Sequence, residues 1–504
     1  MGTTKIERVR GVNDILPDIC AVEQQIAEQL SNCFQSFGYR PIDVPILEYT
    51  ELYLRKSGEE LISRMYDFTF YNRRLCLRPE FTASIVRAYI DNLQGMPLPL
   101  RLYYQGPVFR YEKPQRGKYR QFTQMGVEMI GAAGSMADAE AIATPCKALA
   151  QLGLSNYRLV IGHIGVLSKF LKSLELENRL SSFLLANMEV LRREGREYIE
   201  KSLQEIYPYF GTRVEDIPRN HKLTQLFQNS SNEEARLAIL ELVESMNINL
   251  DDTRQPEEIA ERLLDKIKHQ DQNPVINKAL GFMEELGQIK GKPEDVLPQA
   301  EKVLKAYEID SSALSELQEI LKKLKSYDIN QESISLDFGM SRGLQYYTGT
   351  VFEIHHGNLG AGQQLCGGGR YDELVATLSG KKNLPATGFS FGLERLRLAL
   401  EEEKLLSTQV CKTVDVLVVP VTAQEFRYGI QVAEKLRHSG LKVELDVRGK
   451  NVSSNLQYAV KQGIPFAVIL GSEEKKAAKV TLRDLAASKQ EQVAIDDVLK
   501  WIKK

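Results

Sequence analysis

Apolar residues recur at helical spacing after Pro17, at Val22, Ile26, Leu30 and Phe34, and Gly38 supplies a stop. The next stretch, YRPIDVPIL, is extended and broken by Pro41 and Pro45. Proline forfeits ladder hydrogen bonds, so an edge strand is expected there. Tyr66 to Leu77 predicts a hairpin, YDFTFY and LCL around a turn at Asn72-Arg73-Arg74, and Thr82 to Leu93 turns helical. Leu100 to Gly131 then gives strand, basic loop, strand. Its second half alternates: Phe122, Gln124, Gly126, Glu128 and Ile130 share one face, and Thr123, Met125, Val127 and Met129 the other. The mostly apolar second set suits the packed back of a sheet. The first set puts an amide and a carboxylate in front, where a core would tolerate them only with partners. An alanine-rich helix from Ser135 to Leu152 and the strand YRLVIGH follow.

Beyond about Lys169 the texture changes to charged helices with few strand signals. FLLANMEVLRREGREYIEKSLQEI, EEARLAILELVESM, PEEIAERLLDKIKH and SALSELQEILKKLKS all have charge-laced faces suited to solvent. Strand patterns return at SISLDFG and continue through SRGLQYYTGTVFEIHH, the glycine run CGGGRYDEL and TGFSFGLERLRLAL. From Lys412 onward, VDVLVVPV, LKVELDV and PFAVILG alternate with helices. That predicts a βαβ piece with a mostly parallel sheet, followed by a strand at VTLRDL. The divisions expected are therefore 1–168, 169–331, 332–408 and 412–504, in an α+β protein whose last piece is α/β.

Composition narrows the class. The 504 residues, 43% hydrophobic and 26% charged, are ordinary for a globular protein of two or three domains. A formal net charge of −2 rules out wholesale attraction to nucleic acid, so an RNA partner has to be held by local patches. Residues Lys412 to Lys504 carry 16 Lys+Arg against 11 Asp+Glu, a modest positive bias. The six cysteines (Cys20, Cys33, Cys76, Cys146, Cys366, Cys411) form no C-x-x-C pair and no cluster with histidine. Free thiols in a reducing compartment are expected, with no metal site, no membrane span and a cytoplasmic location.

Three places carry candidate chemistry. The loop from Arg110 to Arg120 holds Arg110, Lys113, Arg116, Lys118 and Arg120 against one acid, Glu112, a density that suits a polyanion. Arg78-Pro79-Glu80 precedes a helix that starts near Thr82. Glu80 and Thr82 are good first-turn residues, so taken alone they are better explained by capping than by function. In GLERLRLAL a helix begins near Leu393, and Arg395 falls in its first turn, off the apolar stripe. A cation there opposes the helix dipole unless an anion binds. Read in isolation, Arg395 is better taken as an exposed surface arginine, and a tight turn explains the Gly367–Gly369 run but not the R-Y-D that follows.

FRYEKPQRGKYRQFTQMGVE resembles motif 2 of class II aminoacyl-tRNA synthetases, in the form used by histidyl-tRNA synthetases. GYRPIDVPILEYTELYLRKSGEE resembles motif 1, GLERLRLAL motif 3, SRGLQYY the R-G-L-D-Y-Y signature, and the piece after Lys412 the anticodon-binding domain. The resemblance implies an antiparallel-sheet catalytic core with a helical insertion, homodimerisation through motif 1, and ligation of histidine to tRNA at the expense of ATP with its Mg2+. It also implies roles. Arg110, Arg342 and Arg395 would be the catalytic cations, with Glu112 and Lys118 joining Arg110 and Arg395 around ATP. Glu80, Thr82, Gln124, Glu128, Tyr346 and Tyr347 would hold histidine, and Gln115, Arg116 and Arg120 the tRNA acceptor end.

Departures from the pattern bear on this. Gln345 stands where an aspartate is usual, Lys113 and Lys118 replace arginines, and Thr123 replaces a histidine. Lysine keeps the charge and loses the planar fork. The alternative reading is a non-catalytic regulatory subunit of ATP phosphoribosyltransferase that senses histidine. The cation set and the C-terminal domain favour the enzyme. A synthetase-derived protein acting on another acceptor is the third reading, kept open by Gln345 and the long insertion.

Overall fold

In the computed structural model, residues 6–55, 59–176, 178–206, 237, 240, 273–340, 346–360, 363–380, 383–406 and 414–502 are described. The chain divides into two compact units, Met1–Ile15 with Glu23–Leu405, and Leu16–Val22 with Leu406–Lys504. Arg342 and Gln345 lie outside the described residues, as do the stretches EEARLAILELVESM (apart from Leu237 and Leu240) and PEEIAERLLDKIKH.

The strands of the first unit are β1 (Arg40–Pro41), β2 (Leu47–Tyr49), β3 (Tyr66–Phe70), β4 (Arg73–Leu77), β5 (Leu100–Phe109), β6 (Gln121–Ile130), β7 (Tyr157–His163), β8 (Lys290–Gly291), β9 (Ile334–Asp337), β10 (Thr350–His356), β11 (Gln364–Arg370) and β12 (Ala386–Gly392). Nine of them form one sheet in the order β1-β5-β6-β12-β11-β10-β7-β9-β8. Its pairs are antiparallel except β1 with β5 and β7 with β9. Proline-bearing β1 sits at the edge, as its lost donor requires. The β5–β6 ladder runs from Leu100↔Ile130 to Phe109↔Gln121, so the expected basic loop spans 110–120. Met125, Val127 and Met129 on the back of β6 are buried, and the helix Gly134–Gln151 packs on β11 and β12.

Local expectations differ in three places. The hairpin turn is Tyr71-Asn72, both at positive φ (47° and 59°), and Arg73 and Arg74 belong to β4. A two-residue turn with both centres left-handed matches the twist of its flanking strands. The run Gly367–Gly369 is no tight turn. It lies within β11 at the middle of the sheet, where a Cβ on Gly368 would overlap Gly388 O and meet Phe389 Cβ at 2.6 Å. The helical stretch before SISLDFG also contributes the short edge strand β8, which pairs with β9 and carries no apolar signal of its own.

The second unit holds β13 (Val416–Pro420), β14 (Val443–Leu445), β15 (Phe466–Leu470), β16 (Lys479–Asp484) and β17 (Lys489–Ala494), in the order β14-β13-β15-β16-β17. Only β14, β13 and β15 are parallel. β16 and the unanticipated β17 are antiparallel, which corrects the mostly parallel expectation. KQEQVA is almost wholly exposed and polar, so periodicity could not reveal it. No described helix is long and apolar enough to cross a membrane.

The glycine in mid-β11 gives a direct test of close packing. Gly368→Ala is expected to destabilise the protein by about 1–3 kcal/mol through overpacking against backbone that has nowhere to move. Urea denaturation would measure it, and an unchanged midpoint would show that the strands are spaced more loosely than described.

Candidate functional site

A cavity of about 450 Å³ opens on the front of β5, β6, β10, β11 and β12. Its wall includes Glu80, Thr82, Arg110, Glu112, Lys118, Gln124, Glu128, Tyr346, Tyr347 and Arg395, ten residues picked out by sequence from five separate stretches. Gln115, Arg116 and Arg120 are not part of the wall.

At one end stands Glu128, 1% exposed, directly across the ladder from Gly388 of β12. A side chain on Gly388 would overlap Glu128 Oε2, so the glycine makes room for the carboxylate. Three hydroxyls donate to it: Thr82 Oγ1 to Oε1 at 2.7 Å, Tyr104 to Oε1 at 3.5 Å, and Tyr371 to Oε2. Burial pushes its pKa up to about 8, against the pull of those hydrogen bonds. Glu80 is buried too. Its Oε2 accepts from Thr82 N (2.5 Å) and its Oε1 from Ala83 N (3.0 Å), so it caps the helix Thr82–Ala88. Burial raises its pKa as well, and its charge opposes ionisation of Glu128. Tyr346 is buried, with its ring centroid 4.8 Å from Tyr347 and 5.7 Å from Tyr371, edge to face with the latter.

The other end is cationic. Arg110 Nε donates to Pro79 O at 2.8 Å, and its guanidinium lies 5.5 Å from the Phe122 ring centre. Arg395 is half-buried rather than an exposed surface arginine. Its Nε donates to Gly117 O and its Nη1 to Gln364 O, both at 2.8 Å. Burial and the charge of Arg110 act to lower its pKa, while Glu112 opposes that. Glu112 pairs with Arg64 at 3.6 Å. The basic loop therefore folds back over this end: Gly117 is buried at φ +76°, and a Gln115↔Lys118 bridge closes the tip. Gln115 and Arg116 remain exposed on it. Arg120 does not reach outward. It donates to Glu112 O (3.2 Å) and Arg10 O (3.0 Å) and lies 3.8 Å over the Tyr111 ring.

The sequence reading missed part of the wall. Glu353 and His355 of β10, joined at 2.9 Å, and Gln364 of β11, donating to Glu353 at 2.7 Å, face the cavity beside Arg395. Glu394 also lines it, accepting from Thr123 N at 2.8 Å, with a pKa pushed up by burial to about 7. The alternation Phe352, Glu353, Ile354, His355 was available as a signal, but a strand facing water gives the same one. Among the described residues no group of three or more His, Cys, Asp or Glu could hold a metal ion.

A concave site with cations at one end and a buried, hydroxyl-held carboxylate among tyrosines at the other is suited to a polyphosphate beside a small polar ring. Comparison with known proteins agrees. The family profile described as histidyl-tRNA synthetase matches residues 11–270 and 241–396, and an anticodon-binding domain profile matches 415–504. The chain is 33% identical over 495 residues to the histidine–tRNA ligase of Archaeoglobus fulgidus, covering 98% of each. It is 30% identical over 500 residues to that of Pyrococcus furiosus, covering 99% of each. The crystal structure of apo histidyl-tRNA synthetase from S. aureus superposes with a TM-score of 0.60 at 25% identity, covering 99% of this chain and 100% of that one. This chain belongs to the histidyl-tRNA synthetase family.

Proposed function

We propose that this chain joins the carboxylate of histidine to the α-phosphate of ATP, expels pyrophosphate, and passes the histidyl group to the 3′ end of a tRNA. Two anions have to meet, and further negative charge gathers on phosphorus during the displacement. The reaction needs fixed cations and alignment rather than a side-chain nucleophile. The observation that carries the reading is that Arg110 and Arg395 share one cavity with Glu128. Arg110 is assigned to the α-phosphate, Arg395 to the γ-phosphate, and Glu112 and Lys118 to the rest of ATP. Arg342, assigned to the carboxylate and α-phosphate, lies outside the described residues. Glu128 and Tyr347 take the imidazole nitrogens, and Glu80, Thr82, Gln124 and Tyr346 complete the amino-acid end.

Magnesium arrives with ATP as part of that substrate. Glu353 and Glu394 line the cavity near Arg395, and Glu394 Oε2 is buried with no hydrogen-bond partner among the described residues. One or two carboxylates with phosphate oxygens is the donor set such an ion takes, so a three-acid cage is not required. The exposed tip residues Gln115 and Arg116 are the acceptor-end contacts this geometry supports best, with Arg120 holding the loop's shape. Functionally we divide the chain into a catalytic core at 1–168 and 332–408, an insertion at 169–331 and an anticodon-binding piece at 412–504. The five described cysteines are free, which suits the cytoplasm. The regulatory-subunit alternative is weaker, because the anticodon-binding match and the full-length ligase relatives have no part in it.

Our reading of the chain as a homodimer is supported by the small sheet β2-β4-β3. Its ladder places Leu47, Leu77 and Tyr66 in one row and Tyr49, Leu75 and Phe68 in another, on the same face. Leu47, Tyr49, Phe68 and Phe70 are 45–59% exposed. A contiguous apolar face of this kind marks an interface, and a second copy is the occupant that motif 1 implies.

Three outcomes test these readings. Arg110→Ala or Arg395→Ala should slow histidine-dependent pyrophosphate exchange about 10²–10³-fold, the usual cost of losing a preorganised donor. Near-normal exchange would mean the cations are misassigned. Tyr49→Asp with Phe68→Asp should convert a dimer to a monomer in sedimentation equilibrium, and a wild-type monomer would refute the interface. The third concerns protons. Glu128 has a folded-state pKa of about 8, above the ordinary carboxylate range of the unfolded chain, so the native pocket holds a proton that the unfolded chain releases. The stability this contributes is fully present below the unfolded value and is lost as pH rises through the folded one. Histidine binding, which needs the carboxylate, should release close to one proton near pH 7. Calorimetry in buffers of different ionisation enthalpy would read it, and Glu128→Gln should remove it.

A further inference from the structure

We infer that Arg370 is the positioning residue that sets the walls of the amino-acid pocket relative to one another, a reading that rests on the function proposed above. Arg370 ends β11, is 4% exposed and does not line the cavity. Its guanidinium is nonetheless fully engaged. Nε donates to Asp138 Oδ2 at 3.0 Å, Nη1 to Ala132 O and Asp372 Oδ1 at 3.0 Å each, and Nη2 to Gly134 O at 3.4 Å, while Nη2 lies 2.7 Å from Asp138 Oδ1. Asp138 is 2% exposed and belongs to the helix Gly134–Gln151, so the pair ties the end of β11 to that helix and to the turn before it.

What hangs from this clamp is the pocket. The next residue is Tyr371, whose hydroxyl donates to Glu128. Arg370 O accepts from Thr348 N at 2.8 Å, and Asp372 N donates to Thr348 Oγ1 at 3.0 Å. Thr348 directly follows Tyr346 and Tyr347. A Cβ on the succeeding Gly349 would come within 3.2 Å of Arg370 Cδ, so this backbone lies against the arginine stem. Three tyrosines and a carboxylate from three separate stretches thus share one anchor.

A buried ion pair is poor value as stabilisation, because desolvation offsets most of the attraction. Its best-attested use is to fix one arrangement among several. The planar fork suits that use, and lysine cannot reproduce it.

Kinetics of pyrophosphate exchange test the assignment. Arg370→Lys and Asp138→Asn are expected to raise the KM for histidine about ten- to a hundredfold, as ångström-scale misplacement does, with the KM for ATP within about twofold. Glu128 and Tyr371 act downstream, so Arg370→Lys should add little in a Tyr371→Phe background. Equal changes in both KM values, or a loss that multiplies with Tyr371→Phe, would overturn the proposal. If Arg370→Lys does not fold, Asp138→Asn carries the test from the other end of the pair. A wild-type protein without exchange would refute the catalytic function instead. Histidine affinity by calorimetry across the same variants then still decides this inference, and unchanged affinity sinks it.

Discussion

A carboxylate kept from water in the middle of a sheet is the constraint around which the first unit is built. Glu128 is tolerable there only because three hydroxyls donate to it and because burial holds its proton at neutral pH. Each donor comes from a different element: Thr82 from the start of a helix, Tyr104 from β5, and Tyr371 from the residue after β11. Any slip of register between β6 and its neighbours would strip the acid of partners. Gly388 of β12 serves the same end, being small where Glu128 has to fit.

The cationic end is organised differently. Its arginines are held through backbone carbonyls, Pro79 for Arg110 and Gly117 and Gln364 for Arg395. Carbonyl acceptors fix the direction of a guanidinium through its N–H groups. Arg395 also latches the basic loop at Gly117, so that loop is fastened to the helix Leu393–Glu402.

Much of this was readable beforehand. The alternation along β6 showed that Glu128 and Gln124 share a face, and motif resemblance assigned roles to ten residues that do line one cavity. Glu80 shows where two readings were both apt, for its oxygens cap a helix while it lines the site. Glu353 and His355 escaped notice because a strand facing a cavity and a strand facing water have the same pattern. Strand β17 escaped because it has scarcely any buried face at all.

The sequence alone determined most of the elements, the family and the chemistry of the candidate groups, because periodicity and motif spacing are local properties of the chain. Only the tertiary structure decided which side chains keep company. That Arg120 folds inward, that the Gly367–Gly369 run is a central strand, and that Arg370 anchors a pocket it never touches all depend on partners between about ten and 240 residues away. Burial, and with it the proton on Glu128, is a property of that packing and of no single stretch.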